Sequence, residues 1–144
     1  MKKVDCVIVG GGMVGASSAL TLAQLGLTVV LVEKAAPKEF HHEQPFDLRV
    51  SAISLASENL LQSVDAWAFI RENRSCPYQR LGVWEQERAY TEFNASEINQ
   101  SHLGHIVENR IIVAALWQVV QQHSNITYLA NTRVEDIHAI DGYQ

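Results

Sequence analysis

The segment Gly10-Gly11-Gly12-Met13-Val14-Gly15 carries glycines at the spacing G-x-G-x-x-G. That spacing suits a backbone that must turn tightly and admit a phosphate group. Gly10 allows the turn, Gly12 lets the main chain approach a pyrophosphate, and Gly15 lets a following helix lie close to the preceding strand. Glu33 stands 18 residues beyond Gly15, where a carboxylate can accept hydrogen bonds from both hydroxyls of an adenosine ribose. An acid there repels a 2′-phosphate, which disfavours NADP as the ligand of this particular site. Gly10, Gly12, Met13, Val14, Gly15, Glu33 and Lys34 are therefore the candidate dinucleotide-binding residues. FAD and NAD both present an ADP half, and the spacing does not choose between them.

These residues need a strand, a tight turn, a helix and a second strand to position them. Residues 4–9 are apolar and rich in β-branched side chains, and three glycines end the run. Apolar positions from Val14 to Leu25 cover a helical face, with Gly26 as the stop. Residues 28–32 form a second continuous β-branched run. Neither strand alternates polar and apolar, so the sheet is expected to be parallel and covered on both faces. The fold class read here is α/β, a Rossmann-like FAD/NAD(P)-binding fold with an incomplete parallel sheet and a small β-hairpin insertion.

Further along, residues 34–50, punctuated by Pro37 and Pro45, read as an extended loop. Residues 51–64 read as a helix capped by Ser51 or Ser54, and Asp65 reads as the N-cap of a second helix over 66–70. Residues 81–84 and 89–93 flank Glu85-Gln86-Glu87-Arg88 as a hairpin. A helix is expected over 108–122, and strands over 126–129 and 134–140.

The chain has 144 residues, is 47% hydrophobic and 19% charged, and carries a formal net charge of −5. It can bury a core, and it lacks the basic field that gathers a phosphodiester backbone, so nucleic acid is not expected as a partner. Its apolar runs are too short to span a bilayer. Cys6 and Cys76 have no CxxC spacing and suit a reducing compartment, hence a cytoplasmic expectation. No metal is expected: His41, His42 and Glu43 are adjacent and cannot easily converge on one ion. His102 and His105 read as turn or packing residues, and Trp67, Trp84 and Trp117 as core or interface anchors.

Three blocks carry a resemblance to a known family. They are residues 7–15 with Ala19, Leu22, Gly26 and Glu33; the run Asp47-Leu48-Arg49-Val50-Ser51-Ala52-Ile53-Ser54; and residues 101–109 with Ala115-Leu116-Trp117. Together they resemble the flavoprotein aromatic hydroxylases, specifically the ubiquinone-biosynthesis branch that hydroxylates polyprenylated phenols and quinols. The resemblance implies an oxidoreductase, a monooxygenase that uses FAD, with NADPH as reductant and a polyprenylated phenol or quinol as substrate. It also implies that Arg49 and Asn109 lie near the flavin's ribityl–pyrophosphate region and that Val134 offers backbone contacts to the adenine. It assigns no catalytic residue.

Family members run well past twice this length and carry later Asp-Gly and Gly-Asp cofactor motifs. The expectation is thus an N-terminal, ADP-binding domain over 1–144, with 81–94 as a piece of the substrate-domain sheet. Alone, such a chain is expected to lack turnover and to associate through exposed edges as a homo-oligomer. Contact with a membrane surface, at the inner face, or with other pathway proteins is also expected. Two other readings are a non-catalytic nucleotide-binding or assembly module and an NAD-dependent dehydrogenase half.

Overall fold

The computed structural model of the chain describes residues 3–85 and 89–138. In chain order the elements are β1 (Cys6–Val9), α1 (Met13–Gln24), β2 (Val29–Val32), β3 (Val50–Ser54), α2 (Leu55–Ser63), α3 (Trp67–Glu72) and β4 (Ser75–Tyr78). There follow β5 (Arg80–Glu85), β6 (Ala89–Asn94), a 3-10 turn (Ala95–Ile98), β7 (Gly104–Glu108), α4 (Asn109–Gln122) and β8 (Ile126–Leu129).

The β-branched runs pair as the pleated backbone favours. β1 lies parallel to β2 with Cys6 opposite Val29, and β2 lies parallel to β8 with Val29 opposite Ile126. The order β1-β2-β8 places β2 in the centre, as in one half of a doubly wound dinucleotide-binding sheet. α1 crosses from β1 to β2 and buries Ala16, Ala19, Leu20 and Ala23. The three alanines among them let α4 pack along α1, where Ile111, Ile112, Ala115, Leu116 and Val120 are almost wholly enclosed. Each such Ile or Leu contributes about 1.5–3 kcal/mol by leaving water. The α/β class and the parallel sheet are as the strand patterns imply, but the expected cover on both faces is not found among the described residues, since Val7 and Val9 of β1 are more than half exposed.

A second, antiparallel sheet follows the order β3-β7-β4, and β5 pairs with β6 as a separate two-stranded ribbon. The hairpin expected at 81–94 therefore forms, with its 86–88 turn outside the described residues. It carries Leu81, Val83, Trp84, Tyr90 and Phe93 exposed to solvent. Trp84 is thus no core anchor, whereas Trp67 and Trp117 are buried.

Three expectations need correction. Residues 51–64 are not one helix: Val50–Ser54 is a strand and Leu55–Ser63 the helix. Ile53 and Leu55 fit either periodicity, and pairing of β3 with β7 settles the matter, with Ile53 opposite His105. Ser54 caps α2, accepting from the Ser57 N–H at 3.4 Å. Asp65 is no N-cap. It adopts φ 60° just beyond α2, and the Ala66 N–H closes on the Leu61 carbonyl at 2.9 Å, so α3 starts at Trp67. No strand forms over 134–138, and residues 139–140 lie outside the described residues. Strands β4 and β7 were not legible beforehand, and Pro77 within β4 shows why: proline is tolerated there because β4 is an edge.

Asp65→Val should lower stability by about 1–2 kcal/mol, since a β-branched side chain disfavours the left-handed region, while Asp65→Gly should be neutral or slightly stabilising. Urea unfolding of the two variants checks this.

Candidate functional site

The glycine turn leaves β1 at Gly10, which sits at φ +102°, a conformation that side chains resist. Its N–H donates to the Val32 carbonyl at 2.8 Å, tying the turn to the end of β2. Gly11 is hemmed in: its carbonyl accepts from the Trp117 indole N–H at 2.7 Å, and a Cβ would meet that ring at 2.4 Å. A Cβ on Gly15 would lie 1.8 Å from the Gly10 carbonyl oxygen. Gly12 differs from all three. It has an ordinary φ of −69°, and a Cβ there would meet nothing within 4 Å.

Nothing among the described residues requires glycine at position 12, so its bareness suits a body that approaches from outside. Gly12 is also the N-cap of α1, with no side-chain cap and no acid in the first turn. Met13 and Val14 open that turn, Val14 being largely exposed. The unshared N–H groups and the positive end of the helix dipole are what an anionic phosphate needs. The residues present fit a bound dinucleotide.

Across the turn, Glu33 accepts from the Gly11 N–H at 2.6 Å and from the Ala35 N–H at 3.0 Å. The Gly11 bond chiefly holds its carboxyl below the ordinary carboxylate value, against partial burial and with help from Ala35 and Lys34. Glu33 is therefore an anionic acceptor at neutral pH. A cleft of about 290 Å³ opens at the C-terminal ends of the parallel strands, lined in part by Gly10, Glu33, Lys34, Thr132 and Val134. Val134 reaches it from a loop, not a strand. A larger cavity of about 380 Å³ lies between the 36–40 loop and α4, away from the glycine turn.

Arg49 and Asn109 form a second group, which the cleft does not include. The Asn109 N–H donates to the Arg49 carbonyl at 2.9 Å, and the Ser51 hydroxyl donates to Asn109 Oδ1 at 2.6 Å. The Arg49 side chain is exposed and makes no ion pair among the described residues; Asp47 instead accepts the Arg49 N–H at 3.0 Å. Glu108, only 3% exposed, holds this loop in place. It accepts from the Asp47 N–H at 2.8 Å, from Arg74 at 3.3 Å and from Arg110. Burial pushes its carboxyl up, but these donors together outweigh it and leave the group below the ordinary value. Arg74 also binds the His42 and Gln44 carbonyls and lies 4.4 Å from the centre of the Phe46 ring.

The structure thus gathers Gly10, Glu33, Lys34 and Val134 at one cleft, with Gly12, Met13, Val14 and Gly15 at the neighbouring helix start. Arg49 and Asn109 stand at the N-terminus of α4, and Trp117, about two turns further along, grips Gly11. Sequence reading missed Trp117 and Glu108 as supports of the site. It also missed a cluster outside the cleft, in which Glu58, His102 and His105 bring ligating atoms within 4.8 Å of one another. His102 and His105 do pack in a turn and a strand, yet both also bond Glu58.

A family model described as "FAD dependent oxidoreductase" matches residues 5–112, well over half of the chain. The chain belongs to the FAD-dependent oxidoreductase family. Among curated proteins this family member is 40% identical, over 97% of its length and 36% of the relative's, to 3-demethoxyubiquinol 3-hydroxylase of Escherichia coli. It is 33% identical, over 91% of its length and 28% of the relative's, to the mitochondrial ubiquinone biosynthesis monooxygenase COQ6 of Drosophila melanogaster. The chain spans about a third of the length of these relatives. Its fold resembles PqsL of Pseudomonas aeruginosa at a TM-score of 0.73 and 19% identity, over 96% of this chain and 36% of that one. It also resembles p-nitrophenol 4-monooxygenase PnpA of Pseudomonas putida at a TM-score of 0.71 and 19% identity, over 99% and 35%.

Two outcomes follow for this FAD-dependent oxidoreductase chain. Glu33 and Glu108 titrate below the ordinary 4.5 when folded, so the unfolded chain binds more protons as the pH falls through that value. Their stabilisation is present above about pH 5 and is lost as pH drops through the folded-state values, which urea midpoints between pH 7 and pH 3 will register. Glu108→Gln should cost about 2–4 kcal/mol, because it strands two arginines and weakens the hold on the Asp47 N–H.

Proposed function

We propose that this chain provides the ADP-binding part of a flavin-dependent monooxygenase that hydroxylates a polyprenylated phenol or quinol in ubiquinone biosynthesis. The observation that carries this reading is Gly12, bare of Cβ with nothing among the described residues that requires it, set at a helix N-terminus opposite an anionic Glu33. The 40% identity to 3-demethoxyubiquinol 3-hydroxylase supports the substrate class.

In this reading Gly10, Gly12 and Gly15 shape the pyrophosphate cradle, and the Met13 and Val14 N–H groups donate to its oxygens. Glu33 accepts from the ribose hydroxyls, sharing a carboxylate already steadied by the Gly11 N–H. Lys34 adds positive charge beside it, and the Val134 main chain faces the adenine. Arg49, with no ion pair among the described residues, supplies a cation to the ribityl–pyrophosphate region, and Asn109 fixes the Arg49 backbone from α4. With FAD bound, the chemistry supplied is acceptance of a hydride from NADPH and activation of O2 for attack on an electron-rich ring. The exposed apolar side chains of the β5–β6 ribbon would join the substrate-domain sheet.

No helix among the described residues is long and apolar enough to cross a membrane. A polyprenylated substrate would call for work in the cytoplasm at the inner membrane face, where other pathway proteins or a second copy could meet the exposed edges of this chain.

Gly12→Ala is the decisive variant. A methyl group fits the free chain, so the melting temperature should stay within about 1 °C of wild type, while affinity for ADP should fall tenfold or more, a loss of about 1.4 kcal/mol. Titration calorimetry with ADP and with FAD checks this. Wild-type protein that binds neither would overturn the nucleotide reading. The 144-residue chain alone is expected to show no NADPH-coupled hydroxylation, and turnover of a polyprenylphenol would refute the assignment of the chemistry to a longer protein.

A further inference from the structure

We propose that Glu58, His102 and His105 form a binding site for a divalent transition metal of the zinc class, separate from the nucleotide cleft. Three elements converge there: α2 brings Glu58, the turn before β7 brings His102, and β7, the central strand of its sheet, brings His105. Glu58 Oε2 lies 3.0 Å from His102 Nε2 and 3.1 Å from His105 Nδ1. Two ligand atoms on a tetrahedral zinc at 2.0–2.1 Å stand about 3.3 Å apart, so these separations already approach the edges of such a polyhedron.

Charge argues for a cation as well. Glu58 is 9% exposed, and among the described residues its salt-bridge partners are the two imidazoles, with no lysine or arginine. With both imidazoles neutral, the carboxylate is a nearly buried charge without a counterion, and a dication between the three groups supplies one. Neutral imidazole and carboxylate are the ligand types that zinc accepts.

The surroundings orient the ligands in the way metal sites require. His102 Nδ1 lies 2.8 Å from the Ser101 hydroxyl, so the nitrogen facing away from Glu58 has a partner that fixes the ring. The edge of the buried Trp67 ring packs on His105, with centroids 5.0 Å apart. The His102 side chain keeps 21% exposure, leaving an approach for the ion and a fourth position for water. Bound there, the metal would fasten α2 to β7 behind the loop that carries Arg49.

The test uses the untagged 144-residue chain, stripped with chelator and titrated calorimetrically with zinc chloride. One-to-one binding that raises the melting temperature is expected. Cobalt(II) should give a visible band of tetrahedral type with no thiolate charge-transfer band, which separates this site from Cys6 and Cys76. Ser101→Ala, which removes only the ring-orienting hydroxyl, should weaken zinc binding about tenfold, and His102→Ala or Glu58→Gln by more than about 100-fold. Circular dichroism confirms the fold of each variant. His41→Ala should bind as wild type does. Absence of zinc binding by the wild type at micromolar metal, or unchanged binding in folded His102→Ala protein, overturns the proposal. So does loss of binding in His41→Ala.

Discussion

The Trp117 indole N–H bonds the Gly11 carbonyl at 2.7 Å, and the architecture around the glycine turn depends on that contact. It joins a helix that follows β7 to a turn formed in the first dozen residues, so it closes a very long loop of chain. The indole occupies the space any Gly11 side chain would need. The turn is thereby held from one side by α4 and from the other by Glu33, whose carboxylate takes the Gly11 N–H. The two peptide units that meet at the Gly11 Cα are thereby each held, one through its N–H and the next through its C=O, and Gly12 inherits a fixed position at the start of α1. The same helix begins at Asn109, which holds the Arg49 backbone. α4 therefore holds the Arg49 loop at one end and the glycine turn further along.

Two acids perform parallel work in the two halves of the chain. Glu33 and Glu108 each receive a backbone N–H from a distant segment; that bond chiefly lowers the Glu33 carboxyl, whereas Glu108 needs it together with two arginines to outweigh burial. The difference lies in company. Glu33 has only main-chain donors among its hydrogen bonds and keeps capacity for a ligand's hydroxyls. Glu108 takes donors from Asp47, Arg74 and Arg110 and braces the loop that carries Arg49.

Much of the first sheet was legible because its determinants are local. The β-branched runs, the glycine spacing and the acid at position 33 all lie within one βαβ unit, and periodicity is enough to place them. The second sheet was not legible, because its strands are defined by partners far along the chain. Residues 51–64 satisfy a helical pattern, and only pairing with β7 turns the first part into a strand. Asp65 was misread for a related reason: Asp favours both helix N-caps and left-handed turns, and the Ala66–Leu61 hydrogen bond decides between them. Glu58 lies 44 residues before His102, so no motif spacing could have joined them. Trp117 could have been suspected from its place in the third resemblance block, but its partner could not.

The three tryptophans are distributed so that the molecule carries its own optical reporters. Trp117 touches the glycine turn, Trp67 packs on an imidazole that bonds a carboxylate, and Trp84 stands 72% exposed on the ribbon. Each indole therefore samples a different solvent and a different neighbour. Emission from Trp84 is open to collisional quenchers in water, whereas the other two are shielded from them. Trp117 lies against Gly11, so its emission reports on the packing of the glycine turn. Trp67 instead feels the electronic state of His105. A single fluorescence spectrum of this chain is thus a sum of three local readings, which single Trp→Phe substitutions can pull apart.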